Sequence, residues 1–122
     1  MLHKTVSATL AILATAVISG VAHAHPVLKT VSPAQDAMVS PPKEIRLTFS
    51  ENVIPKFSGV TIKDKGGSLV ETASPSTDPG DKRQLVVPIT KPLPPGTYDV
   101  DWHAVSVDTH RVTGHFSFQV AQ

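Results

Sequence analysis

Two segments near the end of the chain alternate apolar and polar residues with a period of two. In 97–105 the apolar residues of one face are Tyr98, Val100, Trp102 and Ala104. In 112–120 they are Val112, Phe116, Phe118 and Val120. Because successive side chains of a β-strand point to opposite faces, this period predicts two half-buried strands and not helices. Such strands must bury their apolar faces against another layer of structure.

Further short runs rich in Val, Ile and Leu predict strands at 44–50, 59–64, 68–72 and 84–89. Turn-forming residues separate these runs, since the chain contains 11 prolines and 7 glycines. Residues 74–81 have the composition of a long polar loop. No segment of adequate length has helical spacing. The sequence therefore predicts an all-β fold, a seven-stranded antiparallel Greek-key sandwich of the immunoglobulin-like or cupredoxin-like kind.

The first 24 residues have the pattern of a secretory signal peptide. Lys4 gives a basic start, 8–18 form an apolar middle, and Ala22-His23-Ala24 places small residues at the −3 and −1 positions. We expect cleavage after Ala24, which leaves 25–122 as one mature domain in the periplasm. The apolar middle is too short for a comfortable membrane span, and no second one follows, so we expect the mature chain not to be membrane-embedded.

Charge and cysteine content exclude several classes of partner and chemistry. The chain carries 11 Lys and Arg against 10 Asp and Glu, and Lys4 lies in the segment expected to be removed. The mature domain is then balanced in charge and has no basic face for nucleic acid. There is no cysteine, which excludes disulfides, thiolate ligands and iron–sulfur clusters. We also expect the mature domain to be a monomer.

Cleavage after Ala24 would make His25 the first residue of the mature protein. An N-terminal histidine offers its α-amine and its ring Nδ1, which can close a chelate ring on a metal ion. The next residue, Pro26, has no amide hydrogen. Cu(II) therefore cannot displace an amide proton at residue 26, although it does displace such a proton when a free N-terminus wraps around the ion.

Asp108 and His110 are a second pair of candidate metal ligands. In extended backbone, side chains two residues apart leave the same face about 6–7 Å apart, so one ion could contact both. Together with His25 they would supply three nitrogens and one carboxylate oxygen, a set that suits tetragonal Cu(II). The alternative is that both are solvated turn residues without a ligand role, since an Asp-x-His pair alone is common.

A longer pattern extends over nearly all of the mature chain. It consists of His25-Pro26, Leu47-Thr48-Phe49-Ser50-Glu51, Gly96-Thr97-Tyr98-x-Val100-Asp101-Trp102 and Ala104-Val105-Ser106-x-Asp108-Thr109-His110-x-x-Thr113-Gly114. In this pattern the chain resembles the CopC family of periplasmic copper-resistance proteins. The resemblance implies a small β-sandwich that binds Cu(II) near its N-terminus.

The same resemblance implies the ligands and the partners. His25 would bind by its amine and ring nitrogen, with Asp108 and His110 as further ligands. Glu51 would be an axial ligand or a more distant group that orients the amine or a bound water. The implied role is that of a copper carrier or buffer in resistance or homeostasis, with an inner-membrane copper transporter similar to CopD as a partner.

Methionine content departs from part of that family, since some members hold Cu(I) in a methionine-rich loop. After residue 24 the chain has one methionine, Met38, and 68–83 has none. Thioethers are the soft ligands that Cu(I) needs in a chain without cysteine. The sequence therefore predicts a single Cu(II) site and no Cu(I) methionine site.

Two alternatives remain open at this point. His103 and His115 fall on the outward faces of neighbouring predicted strands, so they are either exposed polar residues or a weak second metal site. An N-terminal copper-binding histidine also occurs in lytic polysaccharide monooxygenases, which makes a copper oxidase the alternative function. We favour the carrier and expect no enzyme activity, because a carboxylate such as Asp108 would fill the coordination position that oxygen chemistry needs.

Overall fold

A computed structural model describes residues 25–122, so the predicted signal peptide lies outside the described residues. In this range the chain forms eight strands and one turn of 3-10 helix, Pro55–Phe57. The strands are β1 (Leu28–Ser32), β2 (Met38–Val39), β3 (Glu44–Phe49), β4 (Gly59–Asp64), β5 (Ser76–Asp78), β6 (Asp81–Pro88), β7 (Gly96–Val105) and β8 (Arg111–Val120). They form two four-stranded sheets, with the orders β1-β3-β6-β5 and β2-β8-β7-β4.

The two sheets enclose one hydrophobic core. The predicted inward face of β7 is buried, with no residue of the set more than 8 % exposed: Tyr98, Val100, Trp102 and Ala104. β8 adds Phe116, Phe118 and Val120, and the opposite sheet adds Ile45, Leu47, Phe49, Leu85 and Val87. Because residues of both sheets belong to a single cluster, the predicted β-sandwich is confirmed.

One predicted strand is absent. Residues 68–72 make only isolated bridges, from Leu69 to Lys63 and from Thr72 to Ile89. Leu69 is 70 % exposed, so the apolar composition of this run does not reflect a buried face. Val70 packs against the core from its edge.

Three strands, β1, β2 and β5, lie outside the runs that the sequence analysis predicted as strands. β1 pairs with β3 in the antiparallel sense. β5 lies inside the predicted polar loop 74–81 and pairs with the edge of β6. It has no apolar residue, and it is held by the ladder and by the ion pair between Asp78 and Arg46, at 2.8 Å. β2 has two residues and pairs with β8 in parallel, so the sandwich is not wholly antiparallel.

The β7–β8 hairpin positions the candidate ligands. Its register runs without a break from Gly96 opposite Val120 to Val105 opposite Arg111. Residues 106–110 therefore form the loop that closes this hairpin at one end of the sandwich. No helix among residues 25–122 has the length and apolar character needed to cross a membrane.

Candidate metal centre

His25 is held beside the end of β3 by its neighbours in the chain. The backbone N–H of Val27 donates to Ser50 Oγ at 2.8 Å, and the N–H of Ser50 donates to the Val27 carbonyl at 2.8 Å. Pro26 is buried and His25 is exposed. The segment before β1 is therefore fixed by two hydrogen bonds, and it presents the His25 side chain at the surface.

Asp108 and His110 lie in a tight loop and not on the extended backbone that the sequence analysis assumed. The Ser106 N–H donates to the His110 carbonyl at 2.9 Å, and the Thr109 N–H donates to the Ser106 carbonyl at 2.9 Å. Thr109 has a φ of 70°, the left-handed conformation, which turns the chain sharply between the two candidate ligands. As a result, an Asp108 carboxylate oxygen lies only 3.3 Å from His110 Nδ1.

The structure brings the two distant candidates together. The rings of His25 and His110 meet edge to face, with their centroids 4.8 Å apart and their planes at 73°. The segment after β3 lies between the N-terminus and the hairpin loop, because the N–H of Val107 donates to the Asn52 carbonyl at 3.1 Å. His25, His110 and Asp108 therefore form a series of neighbours at one end of the sandwich.

These residues are not a finished metal cage. Across residues 25–122, no three His, Asp or Glu side chains stand close enough together to hold an ion on their own. The nitrogen of His25 is still joined to Ala24, so the donor set implied by the sequence lacks its amine until that bond is cut. The two imidazoles and the carboxylate at this end of the fold are three of the four expected donors.

The Asp108 carboxyl is kept ionised by its surroundings. Ser106 Oγ donates a hydrogen bond to Asp108 Oδ1. This hydroxyl, with a smaller contribution from the His110 imidazole, holds the pKa of Asp108 below its ordinary value, although desolvation acts in the opposite direction. The carboxylate therefore needs no deprotonation at neutral pH before it can bind a cation.

Sequence analysis did not single out Ser106. The residue is completely buried, and it continues the inward series of β7 that passes through Trp102 and Ala104. Its position could have identified it, because Ser106 is a polar residue at the next inward position of the alternation, and a buried hydroxyl requires a hydrogen-bond partner. Glu51 directly follows Ser50 and is half-buried, which places it at the same end of the sandwich as His25.

Comparison with known proteins decides the family. The CopC domain family matches residues 28–121. The chain belongs to the CopC family. Copper resistance protein C of Escherichia coli is 43 % identical in an alignment 119 residues long, which covers 90 % of this chain and 94 % of that protein.

Solved structures of CopC proteins have the same fold. PcoC, a methionine-rich copper resistance protein from Escherichia coli, is 42 % identical with a TM-score of 0.71, over 80 % of this chain and 100 % of that one. CopC from Methylosinus trichosporium OB3b is 31 % identical with a TM-score of 0.72, over 79 % of this chain and 93 % of that one. The chain is thus a copper-homeostasis protein. Membership of this copper-resistance family supports the carrier interpretation over the oxidase alternative.

The second candidate group in this CopC chain, His103 and His115, does not pair as the sequence suggested. The register places His103 opposite Thr113 and His115 opposite Asp101. His115 Nδ1 lies 3.0 Å from an Asp101 carboxylate oxygen. His103 is half-buried, and burial, together with the nearby Arg111, lowers its pKa. The two histidines are diagonal neighbours on an outward face and do not face each other. His115 lies beside Asp101, and His103 lies near Arg111.

Proposed function

We propose that this protein is a periplasmic Cu(II) carrier whose site forms when the chain is cut after Ala24. The ligands are the amine and ring nitrogen of His25, the imidazole of His110 and the carboxylate of Asp108. The observation that carries this proposal is the contact between the His25 and His110 rings, since it brings together two candidate ligands that are 85 positions apart in the chain. Glu51 is proposed as an axial or more distant group.

The donor set favours Cu(II) over Cu(I). Nitrogen and carboxylate donors suit the tetragonal cupric ion, whereas the cuprous ion prefers sulfur. The E. coli relative is a methionine-rich protein, but this chain has two methionines and no cysteine. Met38 pairs with Gln119 near the far end of β8. At about 3.3 Å per residue, the length of β8 puts Met38 about 25–30 Å from the hairpin loop, too far to contribute a ligand.

A site at the surface fits a carrier or buffer. His25 is exposed, and the side chains of Asp108 and His110 are 39 % and 30 % exposed, so copper bound there could be passed to another protein. We propose an inner-membrane copper importer similar to CopD as the recipient. Because metal ligands bind in their deprotonated form, we also expect Cu(II) affinity to fall as the pH is lowered.

Single substitutions in a protein that begins at His25 test the ligand assignment. We expect His110→Ala and Asp108→Ala each to weaken Cu(II) binding, measured by competition with a chelator, and to change the electron paramagnetic resonance spectrum. His103→Ala and His115→Ala remove imidazoles from the outward face and are the matched controls. They should leave the spectrum unchanged. An effect of His103→Ala as large as that of His110→Ala would show that the site is misassigned.

A further inference from the structure

Ser106 connects the sandwich core to both candidate ligands of the hairpin loop. It is completely buried and forms a bridge with Val53, itself a core residue. Its backbone N–H donates to the His110 carbonyl at 2.9 Å, and its hydroxyl donates to Asp108 Oδ1. One buried residue therefore fixes the backbone of one ligand and the side chain of the other.

The hydroxyl proton of Ser106 has a defined destination. The His110 carbonyl is 3.4 Å from Ser106 Oγ, farther than the carboxylate oxygen. A charged acceptor also makes the stronger hydrogen bond, so the single proton goes to Asp108. This bond occupies Oδ1 and leaves the other oxygen, Oδ2, as the one that faces His110 at 3.3 Å.

We propose that Ser106 is a positioning residue for copper, which acts by holding the Asp108 carboxylate with Oδ2 directed to the metal. This inference rests on the proposed function. The Asp108 side chain is 39 % exposed, and without an anchor it would sample several rotamers. Ligands that are fixed before binding lose less conformational freedom when the ion arrives, and they favour one coordination geometry.

The test substitutes Ser106→Ala in the protein that begins at His25. Loss of a partner that orients a metal ligand typically weakens metal binding by about 10-fold to 100-fold, and we expect a loss of this size for Cu(II). The electron paramagnetic resonance spectrum should also broaden or shift, because the carboxylate is no longer held in one orientation.

Ser58→Ala is the matched control. Ser58 is also buried, at 6 % exposure, and its hydroxyl donates to the Ile54 carbonyl at 2.7 Å and accepts from the Val105 N–H at 3.0 Å. The substitution therefore removes a buried hydroxyl next to the same loop, and the partners of this hydroxyl, Ile54 and Val105, are not candidate ligands. We expect Ser58→Ala to lower the melting temperature and to retain the Cu(II) affinity and spectrum. If Ser106→Ala behaves in the same way, the positioning role is wrong.

A double substitution separates this inference from the function on which it rests. If Ser106 acts through Asp108, adding Ser106→Ala to Asp108→Ala should cause no further loss of Cu(II) affinity. Full additivity of the two losses would contradict the proposal. If Asp108→Ala alone has no effect on Cu(II), the proposed ligand set fails, whereas an effect of Asp108→Ala but none of Ser106→Ala overturns the positioning role only.

Discussion

Trp102 and Gly114 show how a single residue can determine the packing of the longest hairpin. The two residues face each other in the register of β7 and β8. A Cβ on Gly114 would lie 2.3 Å from Cζ2 of the Trp102 indole, so the ring lies directly against the glycine backbone. The other side of the contact is Phe49, whose ring meets the indole edge to face with the centroids 5.4 Å apart. Glycine at 114 thus leaves room for the indole to pack between β8 and Phe49 of the opposite sheet.

We expect Gly114→Ala to destabilise the protein by about 1–3 kcal/mol, the usual cost of overpacking a core site. The indole cannot move away freely, because it is 8 % exposed and packed in the core. Urea unfolding followed by tryptophan fluorescence measures the effect. Gly66→Ala is the control, since its Cβ would come no closer than 3.4 Å to the Asp64 carboxylate on an exposed turn. Equal midpoints for the two variants would show that the indole is not confined by Gly114.

At the scale of elements, the sequence was informative where one face of a strand is buried. β7 and β8 were predicted because their inward residues alternate over seven positions from Tyr98 and over nine positions from Val112. β5 was missed because Ser76–Asp78 contains no apolar residue, so its pairing depends on the neighbouring strand and not on its own pattern. The run 68–72 was overpredicted because composition alone does not reveal that Leu69 faces solvent.

The β5–β6 edge supports a prediction about acid stability. The Arg46 guanidinium and the Gly80 backbone N–H hold the pKa of Asp78 below its ordinary value. A carboxyl with a lowered pKa in the folded state stabilises the fold above its unfolded pKa, and this contribution is lost as the pH falls through the folded value. We therefore expect the metal-free protein to lose stability below about pH 4, and Asp78→Asn to reduce that dependence.

Thermal unfolding at pH 5 and at pH 3 measures this difference. Glu71→Gln removes one negative charge from an exposed pair with Lys91, at 3.5 Å, and serves as the control for a change in net charge. A pH dependence of Asp78→Asn that matches the unsubstituted protein would show that the Arg46 contact does not contribute.

At the scale of the whole molecule, the candidate site joins parts of the chain that are remote in sequence. His25 lies before β1, and Asp108 and His110 lie between β7 and β8. The candidate residues themselves could be identified from the cleavage pattern, the Asp-x-His spacing and the family resemblance. Their contact could not, because it depends on the Val27–Ser50 hydrogen bonds and on the turn at Thr109. Neither feature has a local sequence pattern that predicts it.

The proposed site also makes the N-terminus part of the function. A protein that begins at His25 has a free amine, whereas one that begins with acetylated Ala24 has an amide at the same nitrogen and keeps every other candidate ligand. Because the amine and Nδ1 of His25 close one chelate ring, removing the amine removes both a ligand and that ring. Acetylation also prevents the amine of Ala24 from replacing it.

The most direct measurement is therefore the Cu(II) dissociation constant of these two forms, obtained by competition with a chelator at neutral pH. We predict that the form beginning at His25 binds one Cu(II) tightly, and that the acetyl-Ala24 form binds it more weakly by several orders of magnitude, with a different electron paramagnetic resonance spectrum. Equal dissociation constants and identical spectra would contradict the N-terminal chelate and, with it, the proposed site.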